Sequence, residues 1–196
     1  MSIALNKTTL KQQRDQAKTY KQFLPSLDLK RQQLLAQLKT AKGQWAEIVE
    51  ATERYQAKIE PLFPLLGSST IARQDIKSLV HVRDVVVEEE NMLGTRLPVV
   101  RSIRCDVTPH AKMVTPFWVD TLVEALQQLA ELRVRDQVAR RRVERLEAAV
   151  RRITQRVNLF EKVLIPQAEE NIRRIVIFLS DQERAAVVRS KIAKGK

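Results

Sequence analysis

Between Leu27 and Leu66 the apolar side chains step alternately by four and by three. The positions are Leu27, Arg31, Leu34, Leu38, Ala41, Trp45, Ile48, Thr52, Tyr55, Ile59, Leu62 and Leu66, and ten of these twelve are apolar. That is a heptad seam, narrower than the face a globular helix normally buries. Lys30, Lys39, Lys42, Glu47, Glu50, Glu53 and Lys58 fall between the seam positions and form the solvated flanks. Pro25 is expected to kink or interrupt the helix near Leu24. Pro61, Pro64 and Gly67-Ser68-Ser69 are expected to end it near Glu60.

A second seam follows the same spacing through Val143, Leu146, Val150, Ile153, Val157, Phe160 and Leu164. Upstream, Ala139, Leu132 and Leu129 keep the register while Asp136 breaks it. Downstream the stripe moves to Ala168, Ile172, Ile175 and Leu179, a slip of one residue at Pro166 that changes the local winding of a supercoil. Thr115 as N-cap and Pro116 as first helical residue mark a start, and Gly195 marks a limit, so one helix is expected from Thr115 to about Ala193. Helices of roughly 50 to 75 residues extend on the order of 75–110 Å. No compact domain of this size holds such rods, and the simplest arrangement folds one seam back on the other.

The middle of the chain has a different period. Val82 to Val87 is β-branched and rich in Val, and Leu97, Val99, Ile103, Cys105 and Val107 alternate with other residues, Arg101 alone interrupting the apolar side. Asn91-Met92-Leu93-Gly94-Thr95 reads as a hairpin loop, with Gly94 where φ must be positive. Pro98 places its strand at an edge, and a short helix is expected over Ile71 to Leu79. The predicted fold is mostly α: a long antiparallel two-helix coiled coil formed by the N- and C-terminal segments, with a short β-hairpin inserted between them. Residues 1–66, 67–114 and 115–196 are its three segments, within one elongated domain.

Composition agrees and excludes much chemistry. Only 4 of 196 residues are Gly, and none lies in a GxxxxGK[ST] phosphate loop, which argues against a nucleotide enzyme. The single Cys105 cannot form an intrachain disulfide and fits a reducing compartment. His81 and His110 flank the hairpin without a carboxylate or thiol at ligand spacing, so a zinc site with Cys105 is disfavoured against two loop histidines. Glu88-Glu89-Glu90 reads as a solvated charge run beside a turn rather than an acidic site. No serine or cysteine sits in a nucleophile motif. The chain is expected to have no catalytic residues, cofactor or metal of its own. The N-terminus has no signal-peptide run. The longest charge-free stretch, Pro61 to Ala72, is far short of the ~20 residues that span a bilayer. A soluble, cytoplasmic protein is expected.

Charge asks for a partner. The formal net charge is +12, and Arg133, Arg135, Arg140, Arg141, Arg142, Arg145, Arg151, Arg152 and Arg156 face only Asp136, Glu144 and Glu147 in the same window. Lys7, Lys11, Arg14, Lys18 and Lys21 face only Asp15. Such helices can neutralise phosphates, so a basic coiled-coil, nucleic-acid-binding architectural protein is one reading. A helical adaptor that recruits partner helices through its seam is another. The arginines fall all round the helix and no aromatic residues are interleaved for base stacking. A solvated coiled-coil surface that meets acidic protein partners is therefore favoured over nucleic acid.

The ends of the chain carry a more specific signal. Arg156-Val157-Asn158-Leu159-Phe160-Glu161-Lys162-Val163-Leu164-Ile165-Pro166 resembles the signature RVNALE-x-V-x-IP of the D subunit of V/A-type rotary ATPases. Asn171-Ile172 to Leu179 and Gln182-Glu183-Arg184 follow, like that family's I-x-x-I…L-x-E-x-E-R pattern. Asn6-Lys7-Thr8, Leu10-Lys11 and Leu27-Asp28-Leu29-Lys30-Arg31 look like its PTK…L…LK…LLK-x-KRD stretch, with Gln32 where the family has an acid. Asn91-Met92-Leu93-Gly94 with Leu97-Pro98 resembles its N-x-MG-V-x-VP turn, Thr95-Arg96 replacing the more usual Val-Lys.

The resemblance implies a central rotor shaft that couples an ion-translocating membrane ring, for protons or sodium, to ATP synthesis or hydrolysis. It implies both termini inserted among the catalytic A and B subunits, an F subunit on the flank, and a C (d) subunit linking to the proteolipid ring. It further implies a peripheral position on the cytoplasmic side, with membrane contact only through the complex. The residues it marks for signature or interaction roles are Lys7, Lys30, Arg31, Asn91, Gly94, Pro98, Arg156, Asn158, Glu161, Pro166, Glu183 and Arg184.

Overall fold

The computed structural model describes residues 4–62, 64, 79–108 and 118–195. In order, its elements are α1 (Lys7–Ile59), a 3-10 turn (Glu60–Leu62), β1 (Val80–Met92), β2 (Thr95–Val107), α2 (Trp118–Leu159), a π turn (Phe160–Leu164) and α3 (Ile165–Lys194). The expected helix from Ile71, the Thr115-Pro116 start, His110 and Leu66 lie outside the described residues. The chain forms two compact units, one of Met1–Gln33 with Val150–Lys196, the other of Leu34–Ala149.

In the first unit, α1 starts where Asn6 caps it: the side-chain Oδ1 accepts the backbone N–H of Thr9 at 2.7 Å. The protected positions are Leu10, Gln13, Ala17, Tyr20, Leu24 and Leu27, so the seam begins well before the Leu27 start that apolar spacing gives. Opposite them, α3 protects Ala168, Ile172, Ile175 and Leu179. The two segments run antiparallel. Lys7 pairs with Glu183, Gln13 hydrogen-bonds Asn171, Lys21 pairs with Glu169 at 2.7 Å, and Tyr20 meets Phe160 edge-on at 5.4 Å.

Two expectations are corrected here. Pro25 does not interrupt α1, which is continuous from Lys7 to Ile59. Pro25 is exposed, beside exposed Lys21 whose carbonyl it leaves without an N–H donor, so water can take the donor's place. Leu24 and Leu27 meanwhile hold the protected side on both flanks. The C-terminal rod is not one uniform helix either. It is α2 and α3 joined by the π turn, where the backbone N–H of Ile165 donates to the carbonyl of Phe160. α3 then ends at Gly195, whose N–H returns to the Lys191 carbonyl, with Lys191 and Lys194 placed to favour the negative end of the helix dipole.

In the second unit, Leu34, Ala41 and Ile59 of α1 are buried, and Leu38, Trp45, Ile48, Thr52 and Tyr55 are half-buried. On α2 the buried residues include Val138, Val143, Leu146 and Ala149. The hairpin is longer than the apolar runs suggest, with 13 residues in each strand. Its strands pair antiparallel from Val80↔Val107 to Met92↔Thr95, and the register shifts at two places along β1. Charged residues in β1 mask its alternation in the sequence. The connection is a two-residue turn with φ of 53° at Leu93 and 80° at Gly94, the signature of a type I′ turn. Asn91 Oδ1 accepts the Gly94 N–H at 3.1 Å and holds that geometry. At the base, Leu79, Val80 and Val107 pack against Trp118, Val119, Leu122 and Val123 of α2.

Adjacent leucines test the seam. Leu34 is 2% exposed and Leu35 45% exposed. Leu34→Ala should cost ~2–5 kcal/mol in urea unfolding and Leu35→Ala much less, because only the first leaves a cavity.

Candidate functional site

Among the described residues no polar or charged side chain is buried, and no group of three or more His, Cys, Asp and Glu could hold a metal. The interactions seen among the described residues join one element to another or lie on the surface.

The hairpin tip is fixed electrostatically. Arg145 donates one guanidinium nitrogen both to Glu89 at 2.9 Å and to the carbonyl of Arg96 at 3.0 Å. Arg142 pairs with Glu90 at 3.6 Å. Within the hairpin, Arg101 Nε donates to Glu88 at 2.6 Å, and this hydrogen bond, reinforced by the Glu88 charge, raises the Arg101 pKa. The Glu88-Glu89-Glu90 run thus has a distinct arginine partner for each acid. Sequence spacing shows the acids and the arginines separately but not their pairing, which depends on how β1 is laid along α2.

Asp136, which broke the second seam, meets Trp45 of the first. The indole Nε1–H donates to Asp136 Oδ1 at 2.7 Å in a half-buried contact. A polar pair at a seam position resists sliding of one helix along the other, because a shifted register would leave both groups unpaired. Between the same two helices, Lys42 pairs with Glu147 at 2.6 Å.

The signature residues are dispersed. The structure brings Lys7 to Glu183 at 3.8 Å and Asn91 to Gly94, but it does not gather the set into one pocket. Arg31 pairs with Asp28 at 2.5 Å and Gln32 donates to the other Asp28 oxygen at 3.1 Å. An acid at position 32 would face that same carboxylate one turn away, so Gln32 suits its neighbour. Lys30, Arg156, Glu161, Pro166 and Arg184 are exposed, Asn158 is half-buried and Pro98 is buried. His81 is exposed on β1 and pairs in register with Asp106. Cys105 is half-buried on β2; burial, followed by the nearby charges of Glu131 and Asp106, pushes its thiol pKa up.

A family model for the D subunit of ATP synthase matches residues 9–195. The chain belongs to the ATP synthase D-subunit family. Similar proteins include the D subunit of the V-type ATP synthase of Borreliella burgdorferi, 36% identical over 199 residues that cover 98% of this chain and 94% of that one. Those of Chlamydia abortus, 32% identical over 194 residues, and Chlamydia pneumoniae, 30% over 200, each cover at least 99% of this chain and 93% of their own length. The D-subunit signature from Arg156 to Pro166 runs from the end of α2 through the whole π turn into α3. Among the described residues no helix is long and apolar enough to cross a membrane.

Two measurements follow from this geometry. Trp45→Phe and Asp136→Leu should each destabilise the chain, and the double variant should recover part of the loss. The expected coupling is about 0.5–3 kcal/mol in a double-mutant cycle of urea unfolding. Cys105 should alkylate more slowly with iodoacetamide near pH 8 than a cysteine in a short peptide, because a raised pKa leaves less thiolate at that pH.

Proposed function

We propose that this chain, a central-stalk component of a V-type ATPase by its family, works as the rotating shaft between the catalytic A and B subunits and the membrane ring. It carries torque and has no active site of its own. The observation that carries this reading is the far end of α3. From Asp181 to Gly195 every residue is exposed, and Val187, Val188 and Ile192, the last 64% exposed, present apolar surface beside Arg184, Arg189, Lys191 and Lys194. A helix end of that composition fits a bore lined by apolar and acidic loops. Its unequal faces would press on successive nucleotide sites as it turns.

The pairing of α1 with α3 supports the same role. Two helices locked by a seam resist twist better than one. On this reading an F subunit would sit on the flank and a C (d) subunit beyond the middle of the chain, on the cytoplasmic side of the membrane. The arginine surface supports protein partners more than nucleic acid, since Arg135, Arg140, Arg142 and Arg145 are already paired with Glu131, Glu144, Glu90 and Glu89.

The first test is purification of the native, nuclease-treated protein at about 0.3 M salt, where exposed charge contacts are strongly screened. Two large ATPase subunits and a small F-like protein should co-elute. Isolation alone, with a salt-sensitive complex restored by an added duplex, would make the basic surface the function. In the assembled enzyme, deleting Asp181 to Lys196 should leave the helix pair folded but lower ATP-driven ion pumping more than ATP hydrolysis. Unchanged pumping would overturn the torque role of this end.

A further inference from the structure

The apolar stripe of the second seam runs from Val157 to Leu179, one residue longer than three heptads. In an unbroken α-helix one surplus residue turns everything beyond it by about 100° around the axis. Ala168, Ile172 and Ile175 would then leave the seam. They do not: Ala168 and Ile175 are buried. The surplus is absorbed within Phe160–Leu164, where hydrogen bonds close over five residues instead of four and the turn widens to hold one more residue.

This repair thins the structure locally. No side chain of the turn is buried, and none is buried between Val157 and Ala168. Leu159 and Val163 stand about half exposed. The Ile165 N–H is committed to Phe160, so the Glu161 carbonyl loses its α-helical donor. Pro166 has no N–H to give to Lys162. Phe160 meets Tyr20 of α1 edge-on at 5.4 Å, and Phe160 and Leu164 are half-buried.

We propose that Phe160–Leu164 is a phase-correcting joint that is also the torsionally yielding point of the shaft. The surplus residue, and not Pro166, creates the π turn, and the loose packing and spare carbonyls make it the place where twist between α2 and α3 is taken up. The mechanical half rests on the shaft function proposed for this chain; the phase-correcting half does not.

Hydrogen exchange on the full-length chain is the first experiment. Backbone amides from Val163 to Ala168 should exchange about tenfold or more faster than those of 150–157 and 171–178. Equal protection would overturn the yielding joint. Deleting the exposed Lys162 removes the surplus, and the stretch should become continuous α-helix with exchange slowed to the level of its flanks. Loss of protection across α3 in this variant would overturn the phase argument. Pro166→Ala supplies the missing N–H but keeps the surplus, so the Ile165-to-Phe160 hydrogen bond should persist. Conversion of that variant to plain α-helix would assign the turn to the proline and refute the proposal.

In the assembled ATPase, the Lys162 deletion should assemble normally and lower ions pumped per ATP by about twofold. Unchanged coupling would overturn the mechanical half. Failure of the wild-type chain to assemble with ATPase subunits would refute the shaft function and that half with it, and leave the joint standing on the exchange data.

Discussion

Everything in this chain depends on a narrow stripe of apolar side chains that recurs every three or four residues. The least exposed large side chains include Leu34 of α1, Leu97 of β2, Leu122 and Leu146 of α2 and Ile175 of α3. Each contributes roughly 1.5–3 kcal/mol by burial, so stability accumulates along the length. The ion pairs beside the stripe are mostly well exposed and each adds little. Their service is geometric: Lys7 with Glu183, Lys21 with Glu169 and Lys42 with Glu147 mark which residues lie opposite which.

A dependence on periodicity makes register the quantity to protect, and the molecule guards it in two ways. Trp45 and Asp136 oppose sliding with a directional hydrogen bond inside the stripe. The π turn restores the phase of the stripe where the sequence has one residue too many. Both features look like defects in a heptad pattern. Both sit where the helices would otherwise be free to choose another alignment.

The seam from Leu34 to Ile59 and the antiparallel pairing are legible in the sequence because apolar spacing reports directly on which face is covered. The seam from Leu10 to Leu24 is not, because Gln13 and small Ala17 occupy protected positions without announcing them. The slip near Pro166 is countable, but its form is not, since spacing cannot say whether a backbone absorbs a surplus by unwinding or by a wider turn. An interruption at Pro25 is overread for a related reason: a proline removes one donor, and what that costs depends on whether water reaches the abandoned carbonyl. The pairing of Glu89 and Glu90 with Arg145 and Arg142 is a property of the folded chain that local pattern cannot contain. The role proposed for the ends rests on the resemblance of motifs, not on charge or period.

The division into units has a consequence for how the molecule is made. Leu34–Ala149 is one uninterrupted piece of chain, whereas the other unit joins Met1–Gln33 to Val150–Lys196. A ribosome delivers the first part of that unit early and the second part last. The stripe from Leu10 to Leu27 therefore emerges with its complement still unwritten, while the hairpin and its flanking helices can already close. A truncated product would keep that bare stripe permanently, an exposed apolar surface of the kind that chaperones and proteases recognise. Completion of synthesis is thus built into the fold as a condition for hiding its first helix.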